Sequence, residues 1–366
     1  MANNKFVLAI NPGSTSTKFA VFADDKPLFV QTLRHSEEEL APFKGRPILD
    51  QHEFRQKLIE AEMAERNFPV GKLSAVVGRG GLLRPLASGV YGVTQEMLDE
   101  LRAAARGEHA SNLGAYVARD IADQVNVPAF IVDPVSVDEW PQRTRLSGCA
   151  LLTRPCLSHA LNTKAVARRY CRETGRRYQD LKLVVAHLGS GNSISAHEYG
   201  RMIDVTNSRE EGSFSTERAG GVPVMELVDL CFSGKYTKKQ VETLLFREGG
   251  LFSYLGTKDL VEVERRIEAG GKTASLVFDA MVYQIAKEIG AMAAALQGSV
   301  DAVLITGGMA HSTKLIRNLR ESIAWIAPVH VYPGEDELQA LAEGALRVLR
   351  AEESAVPYRA ASSASA

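Results

Sequence analysis

FVLAINPGSTSTKFAVF, Phe6 to Phe22, decides how the rest of the chain is read. One apolar run enters the polar segment Asn11-Pro12-Gly13-Ser14-Thr15-Ser16-Thr17-Lys18 and a second apolar run leaves it, which predicts strand, turn and strand. Gly13 gives the turn access to backbone angles closed to other residues. The hydroxyls of Ser14, Thr15, Ser16 and Thr17, the backbone N–H groups and the Lys18 ammonium form a compact set of phosphate donors. Asn11, at the exit of the first strand, offers a neutral oxygen able to hold a metal-bound water. An ordinary polar hairpin turn fits the same residues.

The pattern recurs. LVVAHLGSGNSISAHEYGRMIDV, Leu183 to Val205, again predicts strand, turn and strand, with His187, Gly189, Ser190, Gly191, Asn192 and Ser193 at the turn. A third strand, Met202-Ile203-Asp204-Val205, follows. Two such hairpins about half a chain apart point to a duplicated domain gripping a nucleotide from both sides.

At 366 residues the chain is comfortable for two domains. Forty-three basic against 44 acidic residues leave no basic field for nucleic acid and no acidic tail. Phe6–Ile10 is too short for a signal-peptide core, and Met281–Leu296 carries Lys287 and Glu288, so it reads as a buried helix and not a membrane span. Cys149, Cys156, Cys171 and Cys231 lack CxxC spacing, which favours reduced thiols and a cytoplasmic location over a metal site. Residues 351–366 are small and polar and read as a disordered tail.

Strands and helices alternate between these landmarks, which argues α/β. Helices are expected over 53–66, 95–106, 112–124, 224–232, 273–297 and up to 350, with Ser158 capping another that runs to about 174. No Walker A loop and no GxGxxG follows a strand. Gly307-Gly308 places bare backbone where the strand 302–306 turns into a helix, a ready anion site; tight strand-to-helix packing explains the pair equally well. Arg79, between glycines, and Arg218, in Ser215-Thr216-Glu217-Arg218-Ala219-Gly220-Gly221, have room to swing onto an anion; a surface ion pair is the plainer reading of either. His159 can donate to an anion, and Asp133 ends the apolar run Ala129–Val132, where a carboxylate needs a metal or a turn as partner. His109 is a weaker candidate, because Ser111 capping the next helix explains much of its segment. Two phosphate cradles, two arginines, a metal-competent acid and no obvious nucleophile suit phosphoryl transfer.

The chain resembles the acetate and butyrate kinase family almost end to end, through AINPGSTSTK, VVGRGGLLRP, GEHASNLG, AFIVDPVSVDE, HALNTKAVARRY, CFSGKYTK, YQIAKEIGAMAA and IAPVHVYPGEDELQALAEGALR. The resemblance implies a duplicated two-domain fold shared with actin, Hsp70 and sugar kinases (ribonuclease-H-like), with a nucleotide cleft between domains. Its domains would span 1–155, completed by a helix over 338–350, and 156–337. It implies a homodimer that uses ATP and Mg2+ to phosphorylate a short-chain carboxylate, butyrate or a similar C4–C5 acid, reversibly giving ADP and an acyl phosphate. Kinases for acetate, propionate, branched or aromatic acids stay open, as does a nucleotide-switched binding protein. By position, Asn11 with Asp336 or Glu337 would hold the metal. Gly13, Ser14, Thr15 and Lys18, then His187, Gly189, Ser190 and Gly191, would hold phosphates, and Gly307-Gly308 the adenosine. Asp133, His159 and Arg218 match catalytic residues, and His109 a histidine of the same cleft. Arg79 would bind the carboxylate, shifted by a few residues from the family's place for it. Ser190-Gly191-Asn192 stands where acetate kinases usually have Asn-Gly-Ala, and Ser158 where butyrate kinases usually have an aromatic.

Overall fold

The computed structural model describes residues 4–207 and 209–358. The chain folds as two units, 1–138 with 336–366 and 139–335.

The first unit is built on strands β1 (Phe6–Pro12), β2 (Ser16–Ala23), β3 (Lys26–Arg34), β4 (Ala75–Arg79), β5 (Val90–Gly92) and β6 (Ala129–Val132), in the order β3-β2-β1-β4-β6-β5. β1, β4 and β6 run parallel, while β2 and β3 fold back antiparallel. Val7–Ile10 are fully buried, as a central strand covered on both faces requires. β3, at the edge, alternates between exposed and half-buried residues. Helix Asn112–Gln124 lies directly on β4: a Cβ on Gly78 would stand 2.0 Å from Gly114 O, and one on Gly114 2.2 Å from Arg79 O. Helix Glu337–Leu349 closes this core from the far end of the sequence, with Gly344 against Val132.

The second unit repeats the plan with β7 (Lys182–His187), β8 (Ser193–Glu198), β9 (Arg201–Val205), β10 (Ala302–Gly307) and β11 (Val329–Pro333), ordered β11-β10-β7-β8-β9. An antiparallel three-strand meander followed by parallel strands on its first member is common to both units. Helix Lys272–Ala295 supplies much of the core packed on this sheet, including Phe278, Met281, Ile285 and Ile289.

Several boundaries differ from the sequence expectation. The second unit starts at Glu139 and not 156, because the Glu139 carboxylate takes the buried Lys164 Nζ at 2.7 Å and Met202 N–H at 2.8 Å. Residues 351–358 are not a disordered tail: Val356 N–H donates to Val90 O at 2.7 Å, and Tyr358, only 5% exposed, packs edge-on to Tyr91. The rest of that expected tail, 359–366, lies outside the described residues. Ser158 caps nothing. The helix starts at Ala160, and the buried Ser158 hydroxyl points at Met202 Sδ. Ser111 has helical backbone angles, and its hydroxyl pairs with His109 Nδ1 instead of capping.

Candidate active site

In the first unit, Asn11, Arg79 and Asp133 stand at or just beyond the C-terminal ends of the parallel strands β1, β4 and β6, where open α/β sheets collect their ligand groups. Arg79 Nη1 donates to Glu337 Oε2 at 3.0 Å and to Asn11 Oδ1 at 3.3 Å, while Asn11 Nδ2 donates to the same Glu337 oxygen. Arg79 is therefore anchored and not swinging; Gly78 before it serves the close approach of helix Asn112–Gln124, and Gly80 after it the close approach of Pro134. Its Nε is buried and meets no acceptor among the described residues. Buried donors are nearly always satisfied, so this orphaned N–H stands out in the first unit. Asp336 is exposed and Glu337 buried, so the two neighbouring acids occupy different environments.

Asp133 is 1% exposed and holds φ +38°, a left-handed conformation that side chains other than glycine adopt at a cost. Its Oδ1 accepts from Ser88 Oγ at 2.6 Å and Gly89 N–H at 2.9 Å, which fixes the carboxylate. His109 is exposed, with Ser111 N–H donating to its Nδ1 at 3.2 Å.

The first polar turn has its carbonyls turned inward. The guanidinium of Arg55, from helix His52–Glu65, donates to Gly13 O at 2.6 Å, Ser14 O at 3.0 Å and Ser16 O at 3.0 Å. Gly13 itself avoids the left-handed region, so the conformational freedom expected of it is not used. Lys18 is exposed and pairs with Asn11 across β1 and β2, so the two side chains share a face.

In the second unit, His187 ends β7 with its ring buried. Its Nδ1 donates to Asn162 Oδ1 at 2.9 Å, and its Nε2 faces Glu335 Oε1 at 3.2 Å. His159 stacks on it at 3.9 Å between ring centroids and 12° between planes, its own Nδ1 bonded to Ser193 Oγ at 2.9 Å. Arg218 lies flat on the second polar turn: a Cβ on Gly191 would be 2.6 Å from Nη1 and 2.7 Å from Cζ. The Arg218 segment is tied down by Leu251 N–H to Ser215 O and Phe252 N–H to Thr216 O, each 3.0 Å, and by Ser215 Oγ donating to Ser190 O. Burial lowers the Arg218 pKa from its usual value.

Gly307-Gly308 does not open an α-helix. Gly308–His311 is a single 3-10 turn, and the α-helix begins at Thr313, capped by Ser312. Gly307 N–H donates to Gly334 O at 3.1 Å and Met309 N–H to Leu188 O at 3.0 Å, so these amides are committed to the fold and not to an anion. Gly307, at φ +92°, is needed for packing: a Cβ there would meet Leu188 O at 2.2 Å. Gly308 instead lines a cavity of about 420 Å3 together with Gly189, Ser190, Lys258, Asp259 and His311. That volume falls within the usual range for small-molecule sites.

Arg55, Glu335, Lys258 and His311 are absent from the sequence reading. Among the described residues no cluster of three or more His, Cys, Asp or Glu is placed to hold a metal. Asn11 and Glu337 offer an amide oxygen and a carboxylate side by side, and a magnesium ion needs only one or two carboxylates, taking its other ligands from water and phosphate.

A family profile described as the Acetokinase family matches residues 152–356. A probable butyrate kinase from Clostridium botulinum is 49% identical over 353 residues, covering 96% of this chain and 99% of that protein. Butyrate kinase 1 from Clostridium acetobutylicum is 49% identical over 354 residues, with the same coverage. Among solved structures, Porphyromonas gingivalis acetate kinase superposes with a TM-score of 0.78, covering 94% of this chain and 100% of the other at 19% identity, a likeness of fold. With half its residues identical to those relatives over nearly its whole length, the chain belongs to the acetokinase family.

Proposed function

We propose that the chain transfers the γ-phosphoryl group of ATP reversibly to a short-chain carboxylate, giving ADP and an acyl phosphate. The observation that carries this reading is the Arg79 guanidinium: Nη1 is engaged by Glu337 and Asn11, while the buried Nε has no acceptor among the described residues. A planar guanidinium with an unsatisfied N–H suits a carboxylate. The names of the curated relatives support butyrate or a similar C4–C5 acid as that carboxylate.

The acceptor is ionised at neutral pH, so no general base is needed. Asp133, fixed by Ser88 and Gly89, serves as an oriented charge and not as a proton acceptor. Arg79 binds the carboxylate. Arg218 and His159 offset negative charge on the transferred group. His187, Gly189, Ser190 and Gly191 hold the nucleotide phosphates, with Gly308 and the cavity beside it taking the nucleoside. Gly13, Ser14, Thr15 and Lys18 supply further phosphate donors. Asn11 and Glu337 hold Mg2+, which when bound neutralises phosphate charge.

A homodimer fits the surface of the second unit. Helix Val224–Phe232 buries none of its residues, and Val224, Met225 and Phe232 are 71%, 67% and 86% exposed. The free thiols of Cys149, Cys171 and Cys231 support a reducing, cytoplasmic setting, and among the described residues no helix is long and apolar enough to cross a membrane.

The test is a panel of carboxylates from acetate to phenylacetate with ATP and Mg2+, trapping acyl phosphate as its hydroxamate. Butyrate or a C4–C5 neighbour is expected to give the highest kcat/KM. ATP hydrolysis at the same rate with and without any carboxylate would sink the reading.

A further inference from the structure

Arg55 is the largest fully buried side chain among the described residues, at 0% exposure, and it lies behind the first polar turn. Every N–H of its guanidinium has a use. Nη1 and Nη2 reach the carbonyls of Gly13, Ser14 and Ser16, Nη1 also reaches Thr17 Oγ1 at 3.1 Å, and Nε and Nη2 share Gln51 Oε1 at 3.2 and 2.8 Å. The remaining carbonyl, Thr15 O, accepts from His35 N–H at 2.9 Å.

In a trans peptide the C=O and N–H point in opposite directions. Pinning Gly13 O and Ser14 O onto Arg55 therefore turns the N–H groups of Ser14 and Thr15 away from the protein interior. Successive N–H groups presented this way form an anion nest, and a buried cation behind them aligns the peptide dipoles in the same sense. We propose that Arg55 is a positioning residue for phosphate binding: it touches no substrate, but it holds the first turn in the form that presents Ser14 and Thr15 N–H to a nucleotide phosphate. The inference rests on the function proposed above. Gln51 and Thr17 set the plane of the guanidinium, so lysine, with one nitrogen, cannot replace it.

The test uses the full chain with three substitutions, R55K, R55M and I59A. Ile59 lies one turn further along the same helix, fully buried in apolar core, and serves as a control for destabilisation. R55M is expected to lower kcat/KM for ATP about 100-fold, in the range of losing an oriented anion donor. The KM for the carboxylate should stay within about twofold. R55K should recover less than about a tenth of the loss, and I59A should lower the melting temperature while leaving the ATP KM within about twofold. The proposal is overturned if R55K or R55M keeps wild-type ATP kinetics, or if I59A raises the ATP KM as much as R55M. Should R55M fail to fold, R55K alone decides, because it keeps the charge and loses the fork. A wild type with no carboxylate-dependent ADP release would refute the underlying function; an active wild type with indifferent Arg55 variants would refute this inference alone.

Discussion

Replacing Gly191 by alanine separates the catalytic charge proposed for Arg218 from its contribution to stability. The new Cβ would stand 2.6, 2.7 and 3.0 Å from Nη1, Cζ and Nε of Arg218. An ordinary contact for such atoms is about 3.5 Å, so the guanidinium must retreat by roughly 1 Å. Gly191 does not occupy the left-handed region, so alanine adds no backbone strain. The atoms displaced are also the far end of a flexible side chain. Stability should therefore change little, with a melting temperature within about 2 °C of wild type. A 1 Å misplacement of a reacting or charge-stabilising group costs on the order of 100-fold in rate, or about 2.7 kcal/mol of barrier. The assay is hydroxamate-trapped acyl phosphate at saturating ATP and carboxylate, run on G191A, R218A and the double variant. G191A should lose turnover about 100-fold, and adding it to R218A should cost less than about threefold more, since both act through one group. Wild-type turnover in G191A, or full additivity in the double variant, would refute the assignment of Arg218.

Three further outcomes are expected. Asp133→Asn keeps an oxygen for Ser88 and Gly89, so the melting temperature should hold within about 3 °C while turnover falls about 100-fold; unchanged turnover would mean that the charge is idle. Tyr358→Ala removes a ring packed on Tyr91, a hydroxyl bonded to Glu100 at 2.6 Å and a partner of the Arg84 guanidinium, and should destabilise the first unit by about 3 kcal/mol in denaturant melts. No change in midpoint would count against the packing described for 351–358. Burial holds His197 well below its ordinary pKa, and burial followed by the Arg55 charge lowers His35, so both rings take up a proton less readily in the folded state than in the unfolded chain. The unfolded chain then takes up more protons as pH falls through about 6.5, and the stability these two provide is complete above that pH and lost below it. His52, raised chiefly by its hydrogen bond to Asp120, works in the opposite sense: its contribution is present below about 6.5 and lost as pH rises through the raised value. The melting temperature should fall from pH 7.5 to 5.5, and more steeply in His52→Gln; a flat or rising wild-type profile would contradict this.

The two polar hairpins were legible because glycine, serine and threonine between apolar runs leave few alternatives to strand, turn and strand, and their recurrence announced the duplication. Arg55 was not legible. An arginine within HEFRQKLIEAEMAE looks like one more solvated helix residue, and only the long-range arrival of Gly13–Thr17 makes it a core group. The packing roles of the glycines at 78 and 191 were not legible: each makes room for a neighbour distant in sequence, helix Asn112–Gln124 in one case and Arg218 in the other. Glu335 was passed over beside Asp336 and Glu337, since nothing local distinguishes three acids in a row of four residues. It is the fold that sends Glu335 to His187 and Glu337 to Arg79. Cap signals at Ser111 and Ser158 misled because each hydroxyl found a better partner off the helix axis.

The first unit is assembled from both ends of the chain, with the whole of the second inserted between residues 138 and 336. On a ribosome, β1 emerges early but waits for helix Glu337–Leu349, so Asn11 and Arg79 have no Glu337 until almost the entire polypeptide has been made. The inserted unit, contiguous in sequence, has all its strands in hand by Pro333, before that helix begins. Synthesis order thus lets the second unit, with its cavity beside Gly308, form ahead of the first, and any chain terminated before Glu337 lacks the acid that pairs with Arg79 as well as the helix that closes the core around it.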